Sequence, residues 1–231
     1  MKRELIVVLL PGLDGTGRLF SRLVGRAPRH LQPQVVSYPC DQALNYQELE
    51  VLVHEQLPAD APYIIVGESF SGPIAVSLAS RPTANLQGVV LAASFVTPPA
   101  LRLWRYLPWR VAFRFQAPGL ALRQLLTASD EALLREVRDA VRLVSPPTLA
   151  TRVRSALAVD VRRELAAVQC PVLYIQALRD LVVSPRCLRE IASVRGDVAV
   201  QRVDTRHLVL QLEPDASWEL IDGFASRVHA D

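Results

Sequence analysis

The segment GESFSG, residues 67–72, carries a serine between small residues directly after a run of apolar residues. A nucleophilic serine on a sharp strand-to-helix turn needs small neighbours, because the turn brings the two backbones together. Gly67 meets this need on one side, whereas Ser71 followed by Gly72 stands on the other. The G-x-S-x-G pattern is therefore present with serine at its fifth position. We predict that Ser69 is a nucleophile at a helix N-terminus, where oxyanions are stabilised.

A nucleophilic serine needs an oxyanion hole, and residues 10–17, LPGLDGTG, form a glycine-rich loop after the first apolar run. Such a loop can present a backbone N–H to a developing oxyanion, and we assign this donor to Leu13. The second predicted donor is the N–H of Phe70, the residue after the nucleophile. The alternative is a phosphate-binding loop, but the spacing of the three glycines matches neither Walker A nor G-x-G-x-x-G.

One of the four histidines is placed to act as the general base. His207 follows a predicted strand, so it lies at the carboxyl edge of the sheet, where it can reach Ser69. His54 lies in a helical pattern, His30 in a proline-flanked loop and His229 in the C-terminal tail. We therefore predict that His207 is the base, with a surface loop histidine as the alternative.

The base needs a carboxylate that holds its tautomer and stabilises the imidazolium. Asp180 follows another predicted strand and so lies at the same edge of the sheet. Asp204 is the rival, because it is only three residues from His207. Since Asp204 leaves the same strand as the histidine, it would approach the ring from below, and we favour Asp180.

These residues require a scaffold of strands that end at one edge of a sheet. Short runs of Val, Ile and Leu recur with little alternation, which is typical of strands buried on both faces of a parallel sheet. Helical patterns between them indicate right-handed βαβ units. The runs are Leu5–Leu10, Val35–Tyr38, Tyr63–Val66, Gly88–Ala93, Pro171–Ile175 and Val198–Val203. The predicted helices are Gly17–Arg26, Tyr46–Gln56, Phe70–Ser80, Pro185–Arg195 and Asp215–Val228.

One interval interrupts this alternation. Residues 97–165 contain helical patterns and several prolines but no convincing strand, and we interpret them as a helical lid insertion into a core of residues 1–96 and 166–231. The insertion holds a cluster of aromatic residues: Trp104, Tyr106, Trp109, Phe113 and Phe115. We predict that Trp104, Trp109 and Phe113 line a substrate pocket for the acyl group; the alternative is that they pack the lid onto the core.

Composition excludes several other classes of protein. A chain of 231 residues, 50% of them hydrophobic, fits one globular domain with an insertion. Three cysteines without CxxC spacing fit neither a disulfide framework nor a zinc ribbon, and they suit a reducing cytoplasm. The net charge of +3 accompanies no nucleic-acid-binding motif. The N-terminal apolar run has the wrong length for a signal peptide, and the long uncharged stretch at 83–101 contains two prolines, which argues against a membrane span.

Positive charge is concentrated in the insertion. It contains twelve arginines and six acidic residues, a net charge of +6 in a chain whose total is +3. Arg135, Arg138 and Arg142 share one predicted helix face. The simpler interpretation is a solvated face with local ion pairs such as Glu131–Arg135. The alternative is a docking face for an acidic partner, for which we predict acyl carrier protein, or for an anionic membrane surface.

The order Ser69, Asp180, His207 resembles that of α/β-hydrolase-fold serine hydrolases. The chain is similar to small bacterial esterase-like members, and its glycine-rich loop to that of a plant esterase/acyltransferase group. The resemblance covers Leu5–Ala93 and Pro171–Val228.

Three departures from the family pattern stand out: Ser71 replaces glycine, Pro11 replaces a frequent histidine, and the N-terminal antiparallel strands are missing. The resemblance implies a mostly parallel six-stranded sheet flanked by helices. It also implies two-step acyl transfer on a small-molecule ester, without metal or organic cofactor. A thioesterase or acyltransferase uses the same chemistry, and a non-catalytic binding protein of this fold is the alternative of another class.

Overall fold

The computed structural model describes residues 5–81, 83, 85–100, 104, 106–113 and 130–229. Its strands are β1 (Leu5–Leu10), β2 (Leu31–Val35), β3 (Tyr63–Glu68), β4 (Leu86–Ala92), β5 (Val172–Ala177) and β6 (Ala199–Val203). They form one six-stranded sheet in the order β2-β1-β3-β4-β5-β6, and every neighbouring pair is parallel. The predicted α/β architecture is confirmed.

Apolar side chains on both faces of the sheet explain why the central strands scarcely alternate. All six residues of β3 are buried. Ile64 and Val66 pack into the core on one face, while Tyr63 and Ile65 pack into the core on the other. Both cores are needed to bury strands of this kind, so helices must cover both faces.

The helices divide between these two faces. Helices α2 (Tyr46–His54), α3 (Gly72–Ala79) and α8 (Pro185–Val194) supply one core, and α1 (Ser21–Val24) and α10 (Pro214–Val228) supply the other. Between β4 and β5 lie α4 (Trp109–Ala112), α5 (Glu131–Arg142), α6 (Pro146–Ala156) and α7 (Arg162–Ala167). A short helix α9 (Val209–Leu212) follows β6. None of the helices in these described ranges is long and apolar enough to cross a membrane.

The second strand lies earlier in the chain than expected. The prediction Val35–Tyr38 is wrong, because the strand is Leu31–Val35. This strand is at the edge of the sheet and pairs only with β1, so it tolerates polar residues and Pro33. Tyr38 is buried for another reason: its N–H donates to the carbonyl of Gly15, which ties it to the glycine-rich loop.

Helix α5 packs against the edge of the core next to the predicted base. Its N-cap residue is Asp130, whose carboxylate accepts from the N–H of Leu133 at 2.8 Å. Its apolar face, including Leu133 and Val137, forms a small core with Leu19 and Leu208. Since Leu208 follows the predicted base directly, α5 lies beside the carboxyl end of β6.

Candidate active site

The turn after β3 holds Ser69 in a conformation that few residues adopt. Ser69 has φ 46°, in the left-handed region that costs free energy for a residue with a side chain. Glycines allow the turn to be this tight: a Cβ on Gly67 would lie 2.9 Å from the Cβ of Ala75. A Cβ on Gly72 would overlap the side chain of Ser94, whose hydroxyl donates to the Ser69 carbonyl at 2.6 Å. The strand and the helix therefore approach each other at glycine on both sides of the serine.

The structure brings the three predicted catalytic side chains together from three strand ends. His207 Nε2 lies 2.8 Å from Ser69 Oγ, and His207 Nδ1 lies 2.7 Å from Asp180 Oδ2. The other oxygen of Asp180 accepts from the N–H groups of Val182 and Val183 at 2.7 and 2.9 Å. His207 is buried, with 4% of its surface exposed. Two backbone donors therefore orient the carboxylate, and the carboxylate orients the ring.

The rival carboxylate points elsewhere. Asp204 Oδ1 accepts from Arg179 Nε at 2.9 Å, and its side chain is 73% exposed. The remaining histidines lie on other parts of the chain: His30 before β2, His54 at the end of α2 and His229 after α10. The structure thus places Asp180, and not Asp204, on the imidazole of His207.

The glycine-rich loop after β1 turns back on itself at the predicted oxyanion donor. The N–H of Gly15 donates to the carbonyl of Gly12 at 3.0 Å. In a trans peptide the N–H points opposite to the carbonyl, so this hydrogen bond directs the Leu13 N–H out of the turn. No hydrogen bond in the described part of the chain uses that N–H. Phe70 lies in the first turn after β3, where N–H groups lack partners within the helix.

Ser71, the departure at the fifth position of the motif, links the turn after β3 to the glycine-rich loop. Its hydroxyl donates to the carbonyl of Pro11 and lies 2.6 Å from the hydroxyl of Tyr38. Nearby, Tyr46 donates to the Phe70 carbonyl at 2.8 Å and stacks on the Phe70 ring. The two segments that carry the predicted oxyanion donors are therefore bonded to each other directly.

A buried carboxyl group precedes the nucleophile. Glu68 is 2% exposed, and its Oε1 has no hydrogen-bond partner among the described residues. Burial raises the pKa of Glu68 to about 7, because the charged carboxylate would lose its hydration. Gly12 lies against this side chain: a Cβ there would be 3.6 Å from Glu68 Oε2. Glu68 therefore lies between the two segments rather than in contact with solvent.

Sequence reasoning missed Arg152, which it counted only in the net charge of residues 97–165. Arg152 is 1% exposed, and its guanidinium contacts the glycine-rich loop. A signal was present, since Leu149, Arg152 and Ala156 lie at i, i+3 and i+7 and so share one helix face. An arginine on an otherwise apolar stripe predicts a buried guanidinium.

The predicted substrate-binding aromatics lie around α4. The Trp109 and Phe113 rings have centroids 6.0 Å apart, and Trp109 Nε1 donates to the Trp104 carbonyl at 2.8 Å. Trp104 is about half exposed, and Phe115 lies outside the described residues. These contacts are among the aromatic residues themselves, so the acyl-pocket assignment stays a prediction.

The predicted partner-binding arginines lie on α5 among carboxylates. Arg135 and Arg142 are exposed, and Arg138 is half-buried. Arg142 donates to Asp139 at 3.4 Å. Docking of acyl carrier protein on this face stays a prediction. In the described ranges, no group of three His, Cys, Asp or Glu side chains is arranged to hold a metal ion.

Known proteins resemble this chain in sequence and fold. A family model described as serine aminopeptidase, S33 (Hydrolase_4) matches residues 44–209, well over half of the chain, so the chain belongs to this family of α/β hydrolases. The N-formylmaleamate deformylase of Pseudomonas putida is 27% identical over 169 residues, which are 70% of this chain and 60% of that protein's length.

Solved structures share the fold over nearly the whole chain. The enol-lactonase from Burkholderia xenovorans superimposes with a TM-score of 0.82 at 20% identity, covering 96% of this chain and 91% of that chain. A lipase-esterase related protein from Clostridium acetobutylicum gives 0.79 at 14% identity, covering 96% and 95%. These likenesses show that the chain has the α/β-hydrolase fold.

Proposed function

We propose that this hydrolase cleaves small carboxylic esters through an acyl-enzyme on Ser69. The observation that carries the proposal is the continuous chain of contacts from Ser69 through His207 to Asp180, with distances of 2.8 and 2.7 Å. A non-catalytic binding protein of the same fold has no need for this alignment or for the left-handed serine that accompanies it.

In the proposed reaction, His207 accepts the proton of Ser69 Oγ as that oxygen bonds to the substrate carbonyl carbon. The N–H groups of Leu13 and Phe70 donate to the oxyanion of the tetrahedral intermediate. Collapse of the intermediate breaks the bond to the leaving alkoxide, which takes the proton from His207. Water then attacks the acyl-enzyme with the same proton transfers and regenerates Ser69, while Asp180 stabilises the imidazolium throughout.

Labelling with a fluorophosphonate tests the proposal. We expect folded wild-type protein to carry one label on Ser69, located by peptide mass spectrometry, and Ser69→Ala to carry none. The neighbouring Ser71 provides an internal control, because it donates to a backbone carbonyl and should stay unlabelled. A folded wild-type protein without label on Ser69 would contradict the enzyme proposal and favour a binding protein.

The leaving group and the acceptor are separate questions. Thioester cleavage and acyl transfer use the same acyl-enzyme, and relatives of this chain carry the names of a deformylase and an enol-lactonase. A matched panel with one acyl chain on aryl ester, thioester, lactone and N-formyl amide substrates compares the leaving groups by kcat/KM. We expect the ester to be cleaved best. Adding an alcohol acceptor then separates transfer from hydrolysis by the ratio of products.

We also propose that the protein works in a reducing compartment such as the cytoplasm. Cys40, Cys170 and Cys187 are all unpaired. Free thiols of this kind persist where glutathione and thioredoxin keep cysteines reduced.

A further inference from the structure

Arg152 is among the largest fully buried side chains of the protein, whereas the other described arginines between β4 and β5 are exposed or half-buried. Burying a charged group is costly unless it is fully hydrogen-bonded. The guanidinium donates from Nη1 to the carbonyls of Leu13 at 3.0 Å and Asp14 at 2.6 Å, and from Nη2 to the carbonyl of Pro39 at 2.9 Å. In the described ranges it forms no ion pair with a carboxylate. Its hydrogen bonds are therefore to backbone carbonyls.

Two of these three carbonyls belong to the loop that carries the proposed oxyanion donor. The hydrogen bond from Gly15 to Gly12 fixes the peptide whose N–H belongs to Leu13. Arg152 binds the carbonyls of the next two residues, Leu13 and Asp14. Three successive peptide carbonyls of the loop thus have a donor, and two of the three bonds come from one guanidinium. Without it, the loop would lose its connection to α6.

The loop is also shaped around the guanidinium. Gly15 has φ 70°, and a Cβ at this position would lie 2.7 Å from Arg152 Cζ, so only glycine lets the guanidinium approach. Arg152 Cζ lies 5.6 Å from the ring centroid of Tyr38, whose N–H donates to the Gly15 carbonyl at 2.7 Å. A planar guanidinium can bind several carbonyls in fixed directions, whereas a lysine ammonium is a point charge on a flexible stem.

We propose that Arg152 is a positioning residue, whose guanidinium holds the loop in the conformation that presents the Leu13 N–H to the oxyanion. The inference rests on the proposed acyl-transfer function and deepens it. Helix α6 is then part of the catalytic architecture, although Arg152 is 139 positions from Leu13 in the sequence.

The proposal predicts where the loss of activity appears. The oxyanion exists in the transition state and not in the bound ester, so a displaced donor lowers kcat and leaves KM nearly unchanged. Loss of one oxyanion donor costs about 10²–10³-fold in kcat in other hydrolases. Since Arg152 acts through the loop, we expect about 10²-fold for Arg152→Met and a smaller loss, about tenfold, for Arg152→Lys.

The test compares Arg152→Met, Arg152→Lys and the control Arg154→Met, which changes an exposed arginine two residues further along α6. Active sites are first counted by the end point of fluorophosphonate labelling, so that unfolded protein does not count. The kcat and KM for p-nitrophenyl acetate are then expressed per labelled site. We expect kcat to fall more in Arg152→Met than in Arg152→Lys, and kcat of Arg154→Met to match that of the wild type.

A second measurement separates positioning from a merely structural role. A trifluoromethyl ketone adds to the serine and forms a tetrahedral oxyanion, so its inhibition constant should rise in proportion to the loss of kcat/KM. If Arg152→Met does not fold, Arg152→Lys alone decides. A kcat per labelled site within about twofold of wild type would overturn the inference, as would an unchanged inhibition constant. Absence of any label on wild-type Ser69 would instead refute the proposed function.

Discussion

The turn after β3 and the loop after β1 each supply one proposed oxyanion donor, but they differ in which residues give them their shape. The turn is shaped by residues adjacent to it in the chain: Gly67 and Gly72 permit the close approach, and Ser69 takes the left-handed conformation between them. Within the loop, the Gly15 N–H donates to the Gly12 carbonyl, and the N–H and hydroxyl of Thr16 donate to the Asp14 carboxylate. Its remaining support comes from other segments: the side chains of Ser71 and Arg152 and the backbone N–H of Tyr38.

This difference explains why a sequence motif describes the turn better than the loop. Ser71 reaches the loop from the N-cap of α3 and Arg152 from α6, and neither belongs to a pattern that contains the loop itself. A local motif encodes steric requirements that neighbouring residues satisfy. A loop held by distant side chains depends on where tertiary packing places those side chains. We therefore expect substitutions at the strand ends to lower kcat strongly and substitutions at the supports of the loop to lower kcat less.

The largest effect should follow a change in the group that orients the base. Asp180→Asn should lower kcat about 10⁴-fold, because an amide favours the wrong imidazole tautomer. The kcat of the variant is measured by steady-state kinetics on an aryl ester. The matched control is Asp204→Asn, which affects only an exposed pair with Arg179 and should change kcat by less than about twofold. Loss of activity in the control and not in Asp180→Asn would reverse the assignment of the acid.

The next effect should come from filling the space at the turn. Gly72→Ala places a methyl group against Ser94 and should destabilise the protein by about 1–3 kcal/mol. Displacement of the serine should lower kcat about 10²-fold. Denaturant unfolding and ester kinetics measure the two effects. Adding Ser94→Gly makes room for the methyl group, so the double variant should recover part of the lost stability; purely additive losses would contradict this packing explanation.

A smaller effect is expected at the link between the turn and the loop. Ser71→Ala leaves the Pro11 carbonyl and the Tyr38 hydroxyl without this partner, which should cost about 1–3 kcal/mol of stability. We expect kcat to fall about tenfold, because the two donors are then less well held relative to each other. Ser77→Ala on the same helix is the control. Wild-type kcat in Ser71→Ala would show that the link is not needed to position the donors.

The smallest effect on catalysis, with a clear effect on stability, is expected at Glu68, which lies between the two segments. Its folded-state pKa of about 7 exceeds the ordinary value of 4.5, so the folded state binds the proton more tightly than the unfolded state. The stabilisation by the protonated carboxyl is complete below the ordinary value and is lost as the pH rises to about 7. The loss amounts to roughly 3 kcal/mol.

Glu68→Gln removes this titration and tests the direction in which stability changes with pH. The variant should gain stability relative to the wild type as the pH rises from about 4.5 to 7, since glutamine cannot ionise. Urea unfolding at several pH values measures the difference in unfolding free energy between the two proteins, in which the other titrating groups cancel. A difference that does not change with pH would show that the pKa of Glu68 is not raised in the folded protein.

Much of the fold was predictable because buried parallel strands have a distinct composition. Five of the six strands overlap the apolar runs closely, and helices follow most of them. The exception is β2, an edge strand that contains Pro33 and has one neighbour. An edge strand buries less surface than a central one and tolerates polar residues, and β2 has the sequence LQPQV. The other edge strand, β6, was recognised because three of the five residues of AVQRV are alanine or valine. The buried residues after β2, such as Tyr38, belong to the surroundings of the glycine-rich loop instead.

The sequence by itself determined which residues reach the carboxyl edge of the sheet, because chain direction and strand position dictate where Ser69, Asp180 and His207 must emerge. Tertiary structure decided what a one-dimensional pattern does not contain. It turned Asp204 towards Arg179 and buried Arg152 against a loop that is distant in sequence. The physical reason is the sequence distance over which the interactions act. Strand ends follow from local propensity and burial, whereas the Arg152 guanidinium finds its carbonyl acceptors only after α6 has packed against the glycine-rich loop.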